Sequence, residues 1–308
     1  MKEEIIFSSR SLYRDDFRIR GYRFGSGEKA LCVVGSMRGN EFQQLYACSK
    51  LVKKLKTLEE EGRLVQGKEI LVIPCVNPYS MNNKKRFWTI DNTDINRMFP
   101  GYSLGETTQR IAAGLFEKIK DFKNGIQFTS YYMPGHFVPH IRMMKTGYEN
   151  VEMAKQFGMP YVMVRDTRPF DTTTLNYNWQ IWETNAFSLY TTDTEVLDRD
   201  SAALAVEAIL NYMSENGMIR YQGSKRYLST VIYEERIATV RAPRAGFFNP
   251  KVKVGDNVVK DSILADIMDP YDGSCRCSIT APCDAEVFFM HSDAMTYANT
   301  AVFKLIRN

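Results

Sequence analysis

"KALCVVGS" (residues 29–36) and "EILVIPCVNP" (69–78) bracket a long stretch of different character, and this trio decides the fold. Each run is short and almost wholly apolar, the pattern of a strand buried on both faces. Between them, Phe42, Leu45, Leu51, Leu55 and Leu58 share one helical side, while Lys53, Lys54 and Glu60 fall elsewhere. Asn77-Pro78 stops the second strand, because proline has no N–H to give a ladder. The alternation continues along the chain. Helical periodicity returns at 105–122, 148–157 and 200–215, and strand-like runs lie near 126–129, 160–165 and 186–190. Strands and helices in turn predict an α/β fold, with a mixed, mainly parallel sheet covered by helices on both faces in three layers. Ligands bind such sheets beyond the carboxyl ends of the strands. The loops at 36–41, 76–101, 129–142 and 190–195 all follow strands, so they are expected on one rim.

The sequence changes character near residue 236. From there the runs are short, strand-like and rich in turn residues, and they contain an internal echo. "VRAPRAGFFNPKVKVGDNV" (240–258) and "ITAPCDAEVFFMHSDAMTY" (279–297) both read Ala-Pro, turn, apolar pair. Two domains follow, an α/β domain over 1–235 and a β lobe over 236–308. The lobe resembles the barrel-sandwich of biotinyl and lipoyl carrier domains, which present a modifiable lysine at the turn between halves. Here that turn is "DPYDGSCRCS", with no lysine, so a packed structural lobe is expected instead.

Composition narrows the function. The chain has 40 basic and 36 acidic residues, a net charge of +4, which leaves no basic footprint for nucleic acid. No apolar run reaches the ~18 residues of a membrane span, and "MKEEIIFSSR" lacks the basic-then-apolar order of a secretory leader. A cytoplasmic protein is expected, in agreement with six cysteines that form no disulfide-like framework. Cys275, Cys277 and Cys283 are three thiols without a nearby histidine, and are expected as strand residues rather than a metal site.

The most specific stretch is "NPYSMNNKKRFWTIDNTDINRMFPG" (77–101). Its Asn-Pro strand exit, Arg86-Phe87, Asp91, "DINR" and "FPG", together with "GNE" at 39–41 and "VPHIR" at 138–142, resemble the succinylglutamate desuccinylase and aspartoacylase family. That family consists of zinc-dependent amide hydrolases on a metallocarboxypeptidase-like fold. The resemblance implies zinc held by a His and a Glu three residues apart in the first strand-to-helix loop, with a distant His as third ligand. It further implies a glutamate base at a later strand end and arginines that grip a substrate carboxylate.

Carried over residue by residue, the metal site fails. Glu41 falls on the Glu position, but the paired His position holds Arg38, a permanent cation that repels a metal ion. Counting back from Pro139 puts the third ligand at Thr129 and its upstream Asp at Gln127. The base position holds Tyr190, and a phenol that keeps its proton at neutral pH is a poor base for water. Glu195, five residues on, is the alternative base. His136 is the candidate for a rebuilt metal site with Glu41. His140 is expected as a structural imidazole, and His291 lies in the β lobe. What persists is carboxylate-binding equipment: Arg86, Asn96 and Arg97 match the family, Arg38 adds a further cation, and Arg142 also matches, with a structural role expected. Arg38 is expected to fill part of the metal's space and neutralise Glu41. Trp88 is expected to narrow the pocket.

Three readings follow. The first is a non-hydrolytic family member that binds an acidic or N-acylated amino acid, as a sensor or as the inactive companion of a catalytic relative in a hetero-oligomer; homo-oligomers are equally open. The second is an amide hydrolase with a rebuilt centre, using zinc or no metal. The third is a structural or interaction protein with its old pocket filled. No cofactor is expected except zinc under the second reading.

Overall fold

A computed structural model describes residues 1–11, 15–223 and 226–308. The chain divides into two compact units, Met1–Ser130 with Pro139–Val231, and Tyr131–Val138 with Ile232–Asn308. In chain order the strands as far as Tyr233 are β1 (Lys2–Ser9), β2 (Phe17–Gly25), β3 (Glu28–Ser36), β4 (Lys68–Cys75), β5 (Asn124–Phe128), β6 (Gly135–Phe137), β7 (His140–Lys145), β8 (Tyr161–Asp166), β9 (Asn185–Tyr190) and β10 (Thr230–Tyr233). The helices are α1 (Phe42–Glu60), α2 (Pro78–Asn82), α3 (Thr107–Ile119), α4 (Val151–Lys155), α5 (Leu175–Ile181) and α6 (Arg199–Glu215).

Nine strands form one sheet in the order β1-β2-β4-β3-β5-β9-β7-β8-β10. β3 runs parallel to β4 and β5, β5 to β9, and β7 to β8, whereas β1–β2, β2–β4 and β7–β9 are antiparallel. The sheet is therefore mixed, and its antiparallel share is larger than the sequence pattern implied. The amino-terminal hairpin and β7 carry that difference.

Strand alternation explains the three layers. Leu31 and Val33 of β3, with Ile70 and Val72 of β4, pack into a cluster with Leu51 and Leu55 of α1 and Ile209 and Met213 of α6. Cys32 and Val34, with Leu71 and Ile73, belong to a second cluster with Ile111 and Leu115 of α3 and Trp179 of α5. Both faces of the central strands are dry, which is why their sequences are apolar runs rather than alternating ones. Among the described residues no helix is long and apolar enough to cross a membrane.

The second unit holds β11 (Ile237–Arg241), β12 (Gly246–Pro250), β13 (Asn257–Val258), β14 (Ile263–Met268), β15 (Cys275–Thr280), β16 (Ala285–His291), β17 (Met295–Thr296) and β18 (Ala301–Arg307). Two antiparallel sheets, β11-β18-β16-β13 with β6 added to β16, and β15-β14-β12-β17, share a core of Leu264, Ile267, Val287, Val302 and Phe303. The sequence echo maps onto equivalent places. Buried Ala242 follows β11 before β12, and buried Ala281 follows β15 before β16. The turn between β14 and β15 is closed by Asp269 N–H donating to the Ser274 carbonyl at 2.7 Å, and Arg276 donates to the Asp269 carboxylate at 2.8 Å through Nε. All six cysteines are free thiols.

One expectation is corrected here. Residues 129–142 are not a single rim loop, because β6 pairs with β16 and belongs to the second unit. His136 stands in that strand opposite Met290, in a segment where backbone pairing decides its position. His291, also of the second unit, is buried, with Nδ1 at 3.1 Å from the Pro134 carbonyl.

Candidate functional site

β3 ends at Ser36, and the chain turns through Met37–Asn40 before α1 begins at Phe42. Gly39 makes that turn possible: a Cβ there would come within 2.3 Å of Ser80 and 2.4 Å of the Lys85 carbonyl. The 80–86 segment therefore lies directly on the turn, and the Gly39 N–H donates to the Arg86 carbonyl at 3.3 Å. Any side chain at 39 would push the two loops apart.

Glu41 is fully buried at the head of α1. Its Oε2 accepts from the backbone N–H groups of Met37 (2.7 Å) and Arg38 (3.0 Å). Its Oε1 accepts from Arg38 Nη1 (3.0 Å) and from the Ser130 hydroxyl (2.5 Å). A carboxylate offers about four lone-pair sites, and these four donors use them. The Ser36 hydroxyl also donates to the Glu41 carbonyl.

Arg38 is 5% exposed and spans two carboxylates. Beyond Glu41, its Nε and Nη2 donate to Asp94 Oδ2 at 3.1 and 2.8 Å. Asp94 uses its other oxygen to cap the short 3₁₀ turn Ile95–Arg97, accepting from Asn96 N–H at 3.0 Å. Burial draws the guanidinium toward neutrality, but the adjacent Asp94 and Glu41 charges outweigh it and hold its pKa above the ordinary value. The expected Arg38–Glu41 pairing is present, with Asp94 and Ser130 as members that sequence counting missed. Thr129, which counting placed at the ligand position, instead donates its hydroxyl to the Gln127 carbonyl at 3.2 Å. Its neighbour Ser130 makes the contact, and the weak signal for it was a hydroxyl one place further along the strand exit.

The other candidates are dispersed. Asn96 is buried, and its Oδ1 accepts from Gln127 Nε2 (3.2 Å) and the Leu175 N–H (3.3 Å). Asn176 Nδ2 extends this chain to Gln127 Oε1 (3.1 Å) and Ser188 Oγ (2.5 Å), tying β5 to β9. Arg97 donates to the Phe170 carbonyl at 2.6 Å and lies 3.7 Å from Asp171, so its side chain anchors the turn at 169–171. Buried Arg142 donates to the Tyr190 hydroxyl at 3.0 Å while its guanidinium lies 4.2 Å from the ring centre. His140 stacks on Tyr190 at 4.7 Å with Nε2 at 3.3 Å from Arg142 Nη2. Arginine can only donate, so that nitrogen accepts. Trp88 does not narrow a pocket. It is 2% exposed and packs edge-on to Phe17 at 5.2 Å and against Tyr79 at 6.0 Å.

Two candidates stay near the turn without being consumed by it. Glu195 accepts from Asn40 Nδ2 at 2.7 Å, and its loop is pinned by Gln43 N–H to the Thr194 carbonyl at 3.0 Å. Arg86 is half-buried. Burial and the neighbouring Arg38 lower its pKa, against opposing pulls from Glu41, Asp94 and Glu195. Among the described residues, no group of three His, Cys, Asp or Glu side chains is placed to hold a metal ion.

Residues 27–215 match the family described as succinylglutamate desuccinylase/aspartoacylase catalytic domain. The chain is 21% identical over 259 residues to N-alpha-acetyl-L-2,4-diaminobutyric acid deacetylase of Halomonas elongata, covering 80% of this chain and 72% of that protein. A succinylglutamate desuccinylase/aspartoacylase from Rhodobacter sphaeroides superposes with a TM-score of 0.81 at 19% identity, covering 99% of this chain and 95% of that one. The product-bound ectoine utilization protein EutE (DoeB) of Ruegeria pomeroyi gives a TM-score of 0.81 at 16% identity, covering 96% and 92%.

Proposed function

The chain belongs to the succinylglutamate desuccinylase/aspartoacylase family, and from that premise we propose a non-hydrolytic member that binds a carboxylate-bearing ligand, of the acidic or N-acylated amino acid class, at the turn after β3. One observation carries the reading: all four acceptor positions of Glu41 are taken by Met37, Arg38 and Ser130 donors. A catalytic zinc needs about three protein ligands with lone pairs free to coordinate. Here the matching carboxylate has none to spare, and a guanidinium lies against it. The residues present do not fit the metal, so no hydrolytic step is drawn through one. At the base position stands the phenol of Tyr190, which accepts a hydrogen bond from Arg142, in place of a carboxylate. Arg86, half-buried and cationic, favours retention of an anion subsite. Free cysteines suit a cytoplasmic setting, and the lysine-free β14–β15 turn suits a packed, non-carrier barrel-sandwich lobe.

Protein purified without chelators provides the test. The expected metal content is far below one zinc per chain, and N-acylated amino acids incubated with it stay intact by NMR while raising its thermal midpoint. Stoichiometric zinc with chelator-sensitive amide cleavage would overturn the proposal in favour of a rebuilt hydrolase. No midpoint shift with any carboxylate would favour the purely structural role.

A further inference from the structure

Arg86 and Glu195 carry opposite charges on two loops that both attach to Gly39-Asn40, yet they do not pair with each other. The Arg86 carbonyl accepts from Gly39 N–H at 3.3 Å, and Glu195 Oε1 accepts from Asn40 Nδ2 at 2.7 Å. Among the described residues no carboxylate lies within the 4.0 Å ion-pair distance of Arg86, whose guanidinium lies 5.7 Å from the centre of the Phe87 ring. Glu195 is exposed, with Oε2 uncommitted. Burial and repulsion from Arg38 press the Arg86 cation toward neutrality, so an arriving anion relieves a standing penalty. Asn40 meanwhile holds one oxygen of Glu195 through that hydrogen bond.

We propose that this separated pair receives the two ends of a free α-amino acid, its carboxylate on Arg86 and its ammonium on Glu195 as positioned by Asn40. The inference rests on the reading above that the site binds a carboxylate ligand without cleaving it, and it puts free zwitterionic amino acids in place of the acidic or acylated class. An α-amino acid carries opposite charges that its own bonds hold apart, and a receptor with opposite charges held apart satisfies both. Acylation removes the ammonium and leaves Glu195 facing a neutral amide. Local charge argues the same way. Arg38 is spent on Glu41 and Asp94, so Arg38 and Arg86 stand against three carboxylates with Glu195. That surplus of negative charge disfavours a second carboxylate on the ligand and tolerates a cationic side chain.

The test uses the full chain, with the proteinogenic L-amino acids, their Nα-acetyl forms and their des-amino acids as probes, by thermal shift and then calorimetry. At least one free amino acid should bind roughly ten- to a hundredfold more tightly than its acetylated form, the worth of one charge-assisted hydrogen bond. Glu195→Gln keeps the acceptor for Asn40 and removes the charge; it should erase the preference while leaving the unligated thermal midpoint unchanged. Arg86→Gln should weaken free and acetylated forms alike. If an acetylated form binds as well or better and stays intact, the inference is overturned and the non-hydrolytic reading stands. If acetylated probes are cleaved with zinc present, that reading itself fails. If no amino acid binds, the inference fails outright.

Discussion

Arg38→Met keeps the reach and most of the bulk of the side chain while deleting three charge-assisted hydrogen bonds, one to Glu41 at 3.0 Å and two to Asp94 at 3.1 and 2.8 Å. Arg38 is 5% exposed and Glu41 fully buried, so water cannot replace the lost cation at Glu41. Removing one partner of a buried ion pair costs about 3–5 kcal/mol. Two features pull the figure to the lower end. Glu41 keeps its bonds from the Met37 and residue-38 backbone and from Ser130, and the Asp94 side chain is 14% exposed, so it recovers some hydration. A loss of about 3 kcal/mol is expected. Urea unfolding read by tryptophan fluorescence is the assay, since Trp88, Trp179 and Trp182, all the tryptophans of the chain, lie in the first unit. The midpoint should fall by about 1 M at unchanged slope. Arg38→Met with Glu41→Gln should be less damaging than Arg38→Met alone, because the stranded charge is gone. A single-variant loss below about 1 kcal/mol, or strict additivity in the double variant, would refute the buried charge cluster.

Thiol chemistry should follow burial. Burial pushes the Cys75 thiol up to about 12 and those of Cys32 and Cys48 higher still, so iodoacetamide at pH 8 should label exposed Cys275 in the native protein and Cys32 and Cys48 only in urea, as peptide mass mapping would read. Glu28 is held down to about 2, from an ordinary 4.5, by hydrogen bonds from Lys123 and Lys68. Its stabilisation is present above the unfolded value and drains as pH falls from 4.5 to about 2. Glu28→Gln should thus lower the thermal midpoint at pH 6 and converge on wild type near pH 2, and a constant offset would contradict this. Arg97→Ala should cost about 0.5–1.5 kcal/mol through the lost Phe170 and Asp171 contacts and leave ligand affinity within about twofold; a tenfold loss of affinity would return Arg97 to the ligand site.

Local chemistry made part of this molecule legible before any coordinates. The apolar runs at 29–36 and 69–78 fixed β3 and β4 because both faces of those strands are covered, and the helical stripe between them located α1. The Ala-Pro echo at 242 and 281 marked equivalent strand ends in the second unit. A guanidinium at position 38, three residues before Glu41, already announced unusual chemistry at that turn. The amino-terminal hairpin and β7 do not stand out as apolar runs, since β2 alternates buried Phe17, Ile19 and Gly21 with exposed Arg18 and Arg20, and β7 carries His140 and Arg142 inside a buried strand.

Partner choice was beyond the sequence. Asp94 lies 56 residues from Arg38 and Ser130 lies 89 from Glu41, and nothing local says that these side chains meet. Sheet order decides it: β3 sits between β4 and β5, so the loops leaving all three strands converge on the turn after β3. The same order carries Tyr190 at the end of β9 against Arg142 of β7, while ladder pairing with β16 takes His136 into the second unit's sheet. Periodicity is a property of neighbouring residues, and the sequence determines it. Which donors fill a buried carboxylate depends on strand neighbours distant along the chain, and only the folded sheet sets those.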